Sequence, residues 1–513
     1  MIQHLAAWIQ ARERWLEALC FSLLAAFLIS RWVDRFMIWP DSAQYLTAAM
    51  NLVDHGSLFI WTNWPSYSYV PEPEVYAIYP PGFALWTAAF YLFLREPMLA
   101  AFTAQAAAIL LFVVSFRALA RRLGFPAWLR VALMGFVVVF PTYNEVFISL
   151  LSETLFMALS MLVAVKALDL LDRGWSRADL AQGLVALLLV SSVRWNGVAN
   201  AAFFLLPLWR AHAGRMRAFG GMFFCALVAL APVAIWMTRN RLVTGRSAGH
   251  YRPEFFLWDR LWTPFEHTLM RWGLGSGWIL ALVLGLALVP VVRRGRGAAL
   301  IFTGVLAHFL VIYLLTLVFA VTPLDDRYIS PTYLFFIFLL GTASHGLCRG
   351  RLAHFSLAAV VFAQVALVPV RAIRNFRDWN EPPQRELWAR LSDMDCCMGA
   401  SHFYSDDDWV HQVFAGFPQR IVFEDMPARM PEKLRGLWAV GRNPFWVVRE
   451  GTTVHRFLEE SERTRLKNLR VERVGAYLVY FRSTSASEPS GSKPGRAPRE
   501  STRGSVGAPG SGT

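Results

Sequence analysis

The sequence predicts an α-helical protein that crosses a membrane about eleven times, and three observations support this fold class. The 513-residue chain is 56% hydrophobic and has a mean hydropathy of +0.39, whereas soluble domains are about 45–50% apolar. Charged residues make up 17% of the chain, against about 25% in a typical globular protein. Finally, apolar runs of membrane length recur along the sequence, and clusters of arginine fall on every second loop between them.

A transmembrane helix needs about 20 consecutive apolar residues, with about 17 as the lower limit. The segments that approach this length lie near residues 16–33, 98–116, 126–143, 149–170, 178–192, 195–210, 219–237, 276–292, 298–321, 328–347 and 352–370. The pair near 178–192 and 195–210 is short, and the polar sequence Arg194-Trp195-Asn196-Gly197 separates its members. Residues 1–370 are therefore predicted to form a membrane-embedded domain.

The arginine clusters predict how this domain is oriented. Lys and Arg accumulate in cytoplasmic loops, so the formal net charge of +14 indicates topology rather than nucleic-acid binding. Arg12 and Arg14 place the N-terminus in the cytoplasm. The later cytoplasmic clusters contain Arg117, Arg121, Arg122, Arg130, Arg173, Arg177, Arg210, Arg215, Arg217, Arg293, Arg294, Arg296, Arg349 and Arg351. This alternation places residues 34–97 and the C-terminal part of the chain outside the cytoplasm.

The first outer loop, residues 34–97, is predicted to contain helices that lie along the membrane surface. One begins at Asp41 and ends near Gly56, which suits a helix stop. The other, Phe83–Leu94, is apolar but only about a dozen residues long, which favours an interfacial or re-entrant helix over a span. If this segment were a span, the arginine pattern downstream would be inverted.

The C-terminal part of the chain is no longer membrane-like. Residues 371–482 mix charges with short β-like runs, at Gln419–Phe423, Trp446–Val448 and Ala476–Phe481. We predict a small extracytoplasmic α/β domain there. Residues 483–513 are rich in Ser, Gly, Pro and charge, a composition typical of a disordered tail.

Asp41 is the first candidate for chemistry. Pro40-Asp41-Ser42-Ala43-Gln44 matches a capping box, with Asp41 as the N-cap and Gln44 at the third helical position. A carboxylate held rigidly at a helix start can also act as a general base toward a hydroxyl. The residues alone leave both roles open, and one carboxylate can fill both.

Glu153 is a second acidic candidate, because it lies in an otherwise apolar run near the outer end of its span. Ionisable groups within spans are costly and face a cavity or a partner. Two readings remain open: an acid at a helix end that reaches water, or a second carboxylate that orients an acceptor or a metal. The sequence Tyr79-Pro80-Pro81-Gly82 lies on the same predicted side and marks a junction between a loop and a helix.

Arginines on the predicted outer side run against the general charge bias of the chain. They are Arg194, Arg239 (followed by Asn240) and Arg327 (followed by Tyr328). Each contacts either lipid headgroups, neighbouring acids such as Asp325 and Asp326, or an anionic ligand. A phosphate suits the forked donors of a guanidinium, so together they favour an anionic ligand at the outer leaflet.

These motifs, taken in order, resemble those of polytopic GT-C glycosyltransferases. The opening pattern of that family, D…Y…A…L…G, is matched by Asp41, Tyr45, Ala49, Leu52 and Gly56. Later matches are Tyr79-Pro80-Pro81-Gly82, Ser152-Glu153-Thr154-Leu155-Phe156, Arg239-Asn240 with Thr244-Gly245, and Arg327-Tyr328 with Pro331. Over about residues 16–350 the chain is similar to protein O-mannosyltransferases and lipid A aminoarabinose transferases, and most of all to the bacterial lipid-carrier-dependent group.

The resemblance implies a multi-pass enzyme of the bacterial inner membrane that transfers a sugar from a polyprenyl-phosphate donor to a glycan, lipid or protein hydroxyl. Asp41 would be the general base of an inverting reaction, and Glu153 would position the acceptor or a metal. The expected substrate-binding residues are Tyr45, Tyr79, Arg194, Arg239, Asn240, Arg327 and Tyr328, with the arginines at the leaving phosphate. The chain departs from the O-mannosyl and aminoarabinose patterns at Ser42, where those families have an acid. No cofactor or metal ligand is therefore assigned, and a divalent metal stays open.

Other function classes fit the sequence less well. A transporter or flippase of lipid-linked sugars typically has paired repeats with broken helices at mid-membrane, and the chain shows no such repeat. A polymerase or ligase of surface glycans places its large outer loop late in the chain, whereas here the first loop is long. A scaffold that only displays the C-terminal domain leaves the outer arginines unexplained.

Overall fold

The computed structural model describes mainly residues 17–29, 40–60, 74–211, 215–247, 295–319 and 326–347, apart from single positions within them, together with strand segments near the C-terminus. The helices in these ranges are α1 (Glu17–Ile29), α2 (Pro40–His55), α3 (Gly82–Leu94), α4 (Pro97–Arg122), α5 (Ala127–Val139), α6 (Pro141–Ile148), α7 (Ser152–Arg173), α8 (Arg177–Val193), α9 (Leu205–Ala211), α10 (Arg215–Thr244), α11 (Arg296–Phe319) and α12 (Asp326–Leu347). A 3₁₀ helix, Trp195–Phe204, joins α8 to α9.

The protein is a multi-pass membrane protein. Among the described residues, four helical segments are long and apolar enough to cross a bilayer: Leu99–Arg122, Ser152–Arg173, Met216–Thr244 and Arg296–Leu315. They coincide with four of the predicted spans. The predicted spans near 276–292 and 352–370 lie outside the described residues, so the count of eleven stays a prediction.

Two predicted spans have a different local structure. The segment near 126–143 divides into α5 and α6, and Pro141, which has no backbone N–H to donate to the helix before it, is the first residue of α6. The segment near 195–210 begins as the 3₁₀ helix rather than an α-helix. Its Gly197 packs so closely on α8 that a Cβ atom would lie 2.5 Å from the Cα of Ser191. The side chain of Asn200 also donates to the Gly197 carbonyl at 3.0 Å, which caps the tight turn.

The helix α7 is the centre of the bundle, since nearly all of its side chains are buried. It runs parallel to α4, as two contacts show: one joins the beginnings of the two helices and the other joins their ends. Near their beginnings, the Gln105 amide donates to the Thr154 hydroxyl at 2.9 Å. Near their ends, Arg122 pairs with Asp169.

The two ends of α7 carry different charges. Its first turn holds Glu153. At the other end Asp169 pairs with Arg122 and Arg173, and nearby Glu17 pairs with two arginines that were predicted to be cytoplasmic, Arg117 and Arg130. The arginine-rich end of the bundle therefore lies opposite Glu153, as the charge pattern predicts. Which end faces the cytoplasm stays a prediction.

The loop 34–97, predicted to be the first outer loop, contains α2 and α3, the two short helices expected there. Between them a two-stranded antiparallel ladder pairs β1 (Phe59–Ile60) with β2 (Glu74–Val75). The helix α3 has 13 residues, too few for a span of about 20 residues. The contact between α2 and α3 positions the loop that carries Tyr79.

The C-terminal region forms a five-stranded mixed sheet. Its strands are β3 (His402–Ser405), β4 (Ile421–Phe423), β5 (Pro444–Arg449), β6 (Leu469–Val474) and β7 (Tyr477–Arg482), in the order β4-β3-β5-β7-β6. The strand β3 pairs in parallel with β4 and β5, and β7 runs antiparallel to β5 and β6. The β-like runs predicted in this region correspond to β4, β5 and β7. The helices expected beside them, the side of the membrane and the tail 483–513 lie outside the described residues.

Gly82→Ala should destabilise the fold at the junction that follows Tyr79. A Cβ atom at Gly82 would lie 2.6 Å from the backbone carbonyl carbon of Ser192, and overpacking of this kind costs about 1–3 kcal/mol. Thermal unfolding in detergent should therefore begin at a lower temperature. Gly220→Ala on α10 is the matched control, because a Cβ there meets nothing within 4 Å. Equal unfolding temperatures for the two variants would contradict the packing argument.

Candidate functional site

Asp41 lies in the first turn of α2. The helix begins at Pro40, whose fixed φ suits the first helical position, so Asp41 lies inside the helix rather than at the predicted N-cap. The Oε1 atom of Gln44 has no hydrogen-bond partner within the described residues, and the predicted reciprocal capping box is therefore not formed. Instead, the Asp41 carboxylate contacts residues from other elements.

Two groups meet the Asp41 carboxylate from different parts of the chain. The Tyr79 hydroxyl donates to Oδ1 at 2.7 Å, and Nη1 of Arg327 lies 4.0 Å from Oδ2. The side chain of Asp41 retains 18% of its surface exposed. Burial raises the pKa of Asp41 above its usual range, and this effect outweighs the lowering by Arg327 and Tyr79. The carboxylate is thus a stronger base than a solvated aspartate and stays within reach of a ligand.

A second carboxylate, Glu153, is enclosed instead. Only 2% of Glu153 is exposed, which excludes the reading of a helix-end acid that reaches water. Its Oε1 pairs with Nη1 of Arg194 at 2.8 Å, and the same nitrogen donates to the hydroxyl of Ser152 at 2.9 Å. A buried carboxylate needs such a partner, because an uncompensated charge in a low-dielectric interior is strongly destabilising.

Tyr45 joins the two carboxylate environments. Its hydroxyl lies 3.2 Å from Ser152 Oγ, and its ring centroid is 5.3 Å from that of Tyr79. Burial raises the pKa of Tyr45 well above its usual range, so the hydroxyl stays protonated. An unbroken series of contacts therefore runs from Glu153 through Ser152 and Tyr45 to the tyrosine that bonds Asp41.

The start of α12 closes the site. Arg327 lies beside Asp41, and the ring of Tyr328 lies 5.3 Å from the guanidinium carbon of Arg194. Cation–π contacts of this length are favourable, more so when desolvated. The hydroxyl of Tyr143 on α6 donates to the Ser330 carbonyl at 2.8 Å and holds this end of α12 against the bundle.

Arg239 and Asn240, near the end of α10, contact the first outer loop. Arg239 donates to the Tyr76 carbonyl at 2.8 Å, and Asn240 donates to the Ala77 carbonyl at 2.9 Å. The guanidinium of Arg239 also lies over the ring of Trp236, at 4.6 Å from its centroid. Both side chains therefore hold the backbone that leads to Tyr79.

The structure gathers the predicted residues at one end of the bundle, although they come from distant parts of the chain. Each predicted residue contacts another member of the set or the loop before Tyr79. The set is Asp41, Tyr45, Tyr79, Glu153, Arg194, Arg239, Asn240, Arg327 and Tyr328. Their substrate contacts stay predictions. Sequence reasoning missed the linking role of Ser152, whose only signal is its position before Glu153 at a helix start.

The question of a metal also stays open. Among the described residues, no three side chains of His, Cys, Asp or Glu gather in a group. Each of the two carboxylates faces a guanidinium, Asp41 that of Arg327 and Glu153 that of Arg194.

Comparisons with known proteins bear on the fold. No protein-family model and no curated protein matches the sequence. The structure, however, is similar to that of apo ArnT from Cupriavidus metallidurans, with a TM-score of 0.62 at 12% sequence identity over 93% of this chain and 100% of that chain. ArnT bound to undecaprenyl phosphate gives a TM-score of 0.58 at 13% identity, over 92% of this chain and 99% of that one.

A third similar structure is the archaeal oligosaccharyltransferase AglB from Archaeoglobus fulgidus, in complex with an inhibitory peptide and a dolichol-phosphate. Its TM-score is 0.51 at 11% identity, over 92% of this chain and 75% of that chain. ArnT, a lipid A aminoarabinose transferase, and AglB both belong to the GT-C superfamily. This protein has the GT-C fold. The resemblance of the short sequence motifs to GT-C glycosyltransferases is thus confirmed at the level of the fold.

Glu153→Gln should destabilise the protein strongly, because it leaves Arg194 buried without its counter-charge. Breaking a buried pair costs about 3–5 kcal/mol, and thermal or chemical unfolding in detergent would report the loss. Asp54→Asn is the matched control, since Asp54 pairs with Arg95 at 2.9 Å on the surface, where a pair contributes about 0–1 kcal/mol. Similar stability losses in the two variants would show that the Glu153 pair is not structurally important.

Proposed function

We propose that this protein is a glycosyltransferase that moves a sugar from a polyprenyl-phosphate donor to an acceptor hydroxyl at the outer face of the membrane. The observation that carries the proposal is the Asp41 carboxylate beside the Arg327 guanidinium, at one end of a GT-C fold. A base and a phosphate-binding cation are the two groups that such a transfer needs. The structure of ArnT with bound undecaprenyl phosphate supports a lipid phosphate as the donor group. The acceptor would be a hydroxyl of a glycan, a lipid or a protein.

In the proposed reaction Asp41 accepts the proton of the acceptor hydroxyl. The acceptor oxygen then attacks the anomeric carbon and forms the new carbon–oxygen bond. The bond between the anomeric carbon and the phosphate oxygen breaks, and polyprenyl phosphate leaves with both electrons of that bond. Attack on the face opposite the leaving group inverts the anomeric configuration. No redox partner is needed, because the proton ends on Asp41 and the charge on the leaving phosphate.

The surroundings of Asp41 suit a general base. Its raised pKa increases its affinity for a proton, and the 2.7 Å bond from Tyr79 fixes one oxygen while the other faces Arg327. Because the base must be ionised, activity should fall as the pH drops through the pKa of Asp41. That decline should therefore occur above the usual titration range of an aspartate.

Among the three arginines proposed for the leaving phosphate, Arg327 is placed best. It lies beside Asp41, on the first turn of α12, so a phosphate bound there would present its sugar next to the base. Arg194 is instead paired with Glu153 and bonded to Ser152, and Arg239 contacts a loop carbonyl. Preorganised cations of this kind stabilise developing charge strongly where water is excluded.

Asp41→Asn should abolish sugar transfer while leaving the fold intact, because the amide cannot accept the acceptor proton. The wild-type and variant proteins would be incubated with a panel of polyprenyl-phosphate sugars and acceptor glycans, lipids and peptides. Released polyprenyl phosphate would be measured by mass spectrometry, with a loss of about 100-fold or more expected for removal of a general base. Full activity in the variant, with unchanged thermal unfolding, would refute the assignment of Asp41.

Arg327→Ala should weaken use of the lipid donor by about 10- to 100-fold, as expected for the loss of a charge-assisted hydrogen bond. The measurement is the KM for the donor together with the Kd for polyprenyl phosphate. Arg95→Ala removes an exposed arginine from the same loop region and should leave both constants unchanged. An unchanged Kd for Arg327→Ala would exclude Arg327 from the phosphate site.

A further inference from the structure

We propose that Asn240 is a positioning residue: it acts through the loop at Ala77 and Tyr79 to hold the Asp41 carboxylate in its reactive geometry. This inference rests on the proposed role of Asp41, although its test does not require sugar transfer. Asn240 lies on α10, and the hydrogen bonds described for its side chain do not include the Asp41 carboxylate.

Asn240 joins two outer segments of the chain. It has no exposed surface, and its amide nitrogen donates to the Ala77 carbonyl at 2.9 Å and to the Ser247 carbonyl at 3.3 Å. Its side-chain oxygen accepts from Arg239 at 3.0 Å. Both amide protons and the oxygen are therefore used, which fixes the orientation of the side chain. A buried amide that is satisfied on all sides holds the backbone of both segments in one register.

The loop backbone that Asn240 holds has further hydrogen bonds beside it. Arg239 bonds the Tyr76 carbonyl, and the Tyr76 hydroxyl donates back to the Pro80 carbonyl at 3.4 Å. The carbonyls of Tyr76 and Ala77 are thus anchored to α10, and the Tyr76 side chain is linked to Pro80. Tyr79 lies two residues after Ala77. A shift of the anchored backbone would therefore move the Tyr79 hydroxyl with it.

The Tyr79 hydroxyl is the endpoint of this chain of contacts. Its hydrogen bond to Asp41 is short, at 2.7 Å, and hydrogen bonds between a donor and an ionised group weaken steeply with poor geometry. Losing this bond would remove one of the groups that favour the ionised carboxylate. Asn240 would thereby tune the base without touching it.

Other charged and titratable groups also act on Asp41, so the test must separate them from Tyr79. Arg327 on α12 and Arg194 after α8 favour its ionised form, whereas Glu153 on α7 disfavours it. The hydrogen bonds described for the Asn240 side chain go to Ala77, Ser247 and Arg239. Removing the Asn240 amide should consequently change the Tyr79 contribution alone.

The test is the pH dependence of carbodiimide labelling of Asp41 in the full-length protein, read by peptide mass spectrometry. Carbodiimides react with the protonated carboxyl group, so labelling falls as the pH rises through the pKa of Asp41. Asn240→Leu should raise the midpoint by about one pH unit, the shift expected when one hydrogen bond to an ionised carboxylate is lost. Tyr79→Phe should raise it equally, and the double variant should show no further rise. Asn240→Gln, which retains the amide, should restore most of the wild-type midpoint.

Asn51→Leu is the matched control. Asn51 is another buried asparagine that donates to a carbonyl of the same loop, that of Phe59, at 2.9 Å; Phe59 belongs to β1, which pairs with β2, whereas α10 holds the carbonyls of Tyr76 and Ala77. The variant should lose stability and keep the wild-type midpoint. If Asn51→Leu moved the midpoint as far as Asn240→Leu, the effect would be a general loosening of the loop and the proposal would be wrong.

An unchanged midpoint in Asn240→Leu, or additive shifts in the double variant, would overturn the proposed route through Tyr79. If Asn240→Leu does not accumulate in the membrane, Asn240→Ser removes the same donor with less steric disturbance and carries the same expectation. Failure of the proposed function would look different: the wild type would release no lipid phosphate from any donor, while the labelling midpoints would still shift together.

Discussion

The buried ion pair of Glu153 and Arg194 is the interaction on which the organisation of the site depends. A charge inside a membrane protein requires a counter-charge, so the start of α7 and the end of α8 must meet. Ser152 adds a hydroxyl to the same guanidinium, and Tyr45 reaches that hydroxyl from α2. Tyr328 covers the guanidinium from α12. One electrostatic requirement thus brings four helices together and aligns the surface on which Asp41 lies.

The two acidic residues of the site differ in their environment, and this difference separates their roles. Glu153 is fully enclosed and its charge is neutralised at 2.8 Å, so it orients Arg194 and supports the structure around it. Asp41 keeps part of its surface exposed, and its nearest cation is more distant, at 4.0 Å. A reacting carboxylate needs such an arrangement, because it must accept a proton from a group that arrives from outside. The same chemical group therefore serves as a structural counter-ion in one place and as a proposed base in the other.

The three arginines predicted to be on the outer side divide in a similar way. Arg194 neutralises a buried acid, Arg239 binds a loop carbonyl, and Arg327 lies next to the proposed base. In each case the packing of the surrounding helix decides which partner the guanidinium meets. The sequence alone leaves headgroups, neighbouring acids and ligands as equal alternatives for all three. Within the described residues, Arg194 meets an acid 41 positions earlier in the chain, a partner that spacing does not reveal.

Composition, apolar runs and charge bias determine by themselves that the chain is a multi-pass membrane protein, because a bilayer imposes length and polarity on every span. They also predict the short helices of the first outer loop and the strands β4, β5 and β7. Short motifs point to Asp41, Glu153 and the arginines, since polar residues near a membrane stand out against an apolar background. Tertiary structure alone decided which of these groups meet, that residues 195–204 form a 3₁₀ helix, and that Ser152 and Asn240 link the rest. The physical reason is that a hydrogen bond or an ion pair depends on distances between helices, and helix packing sets those distances across more than a hundred residues of sequence.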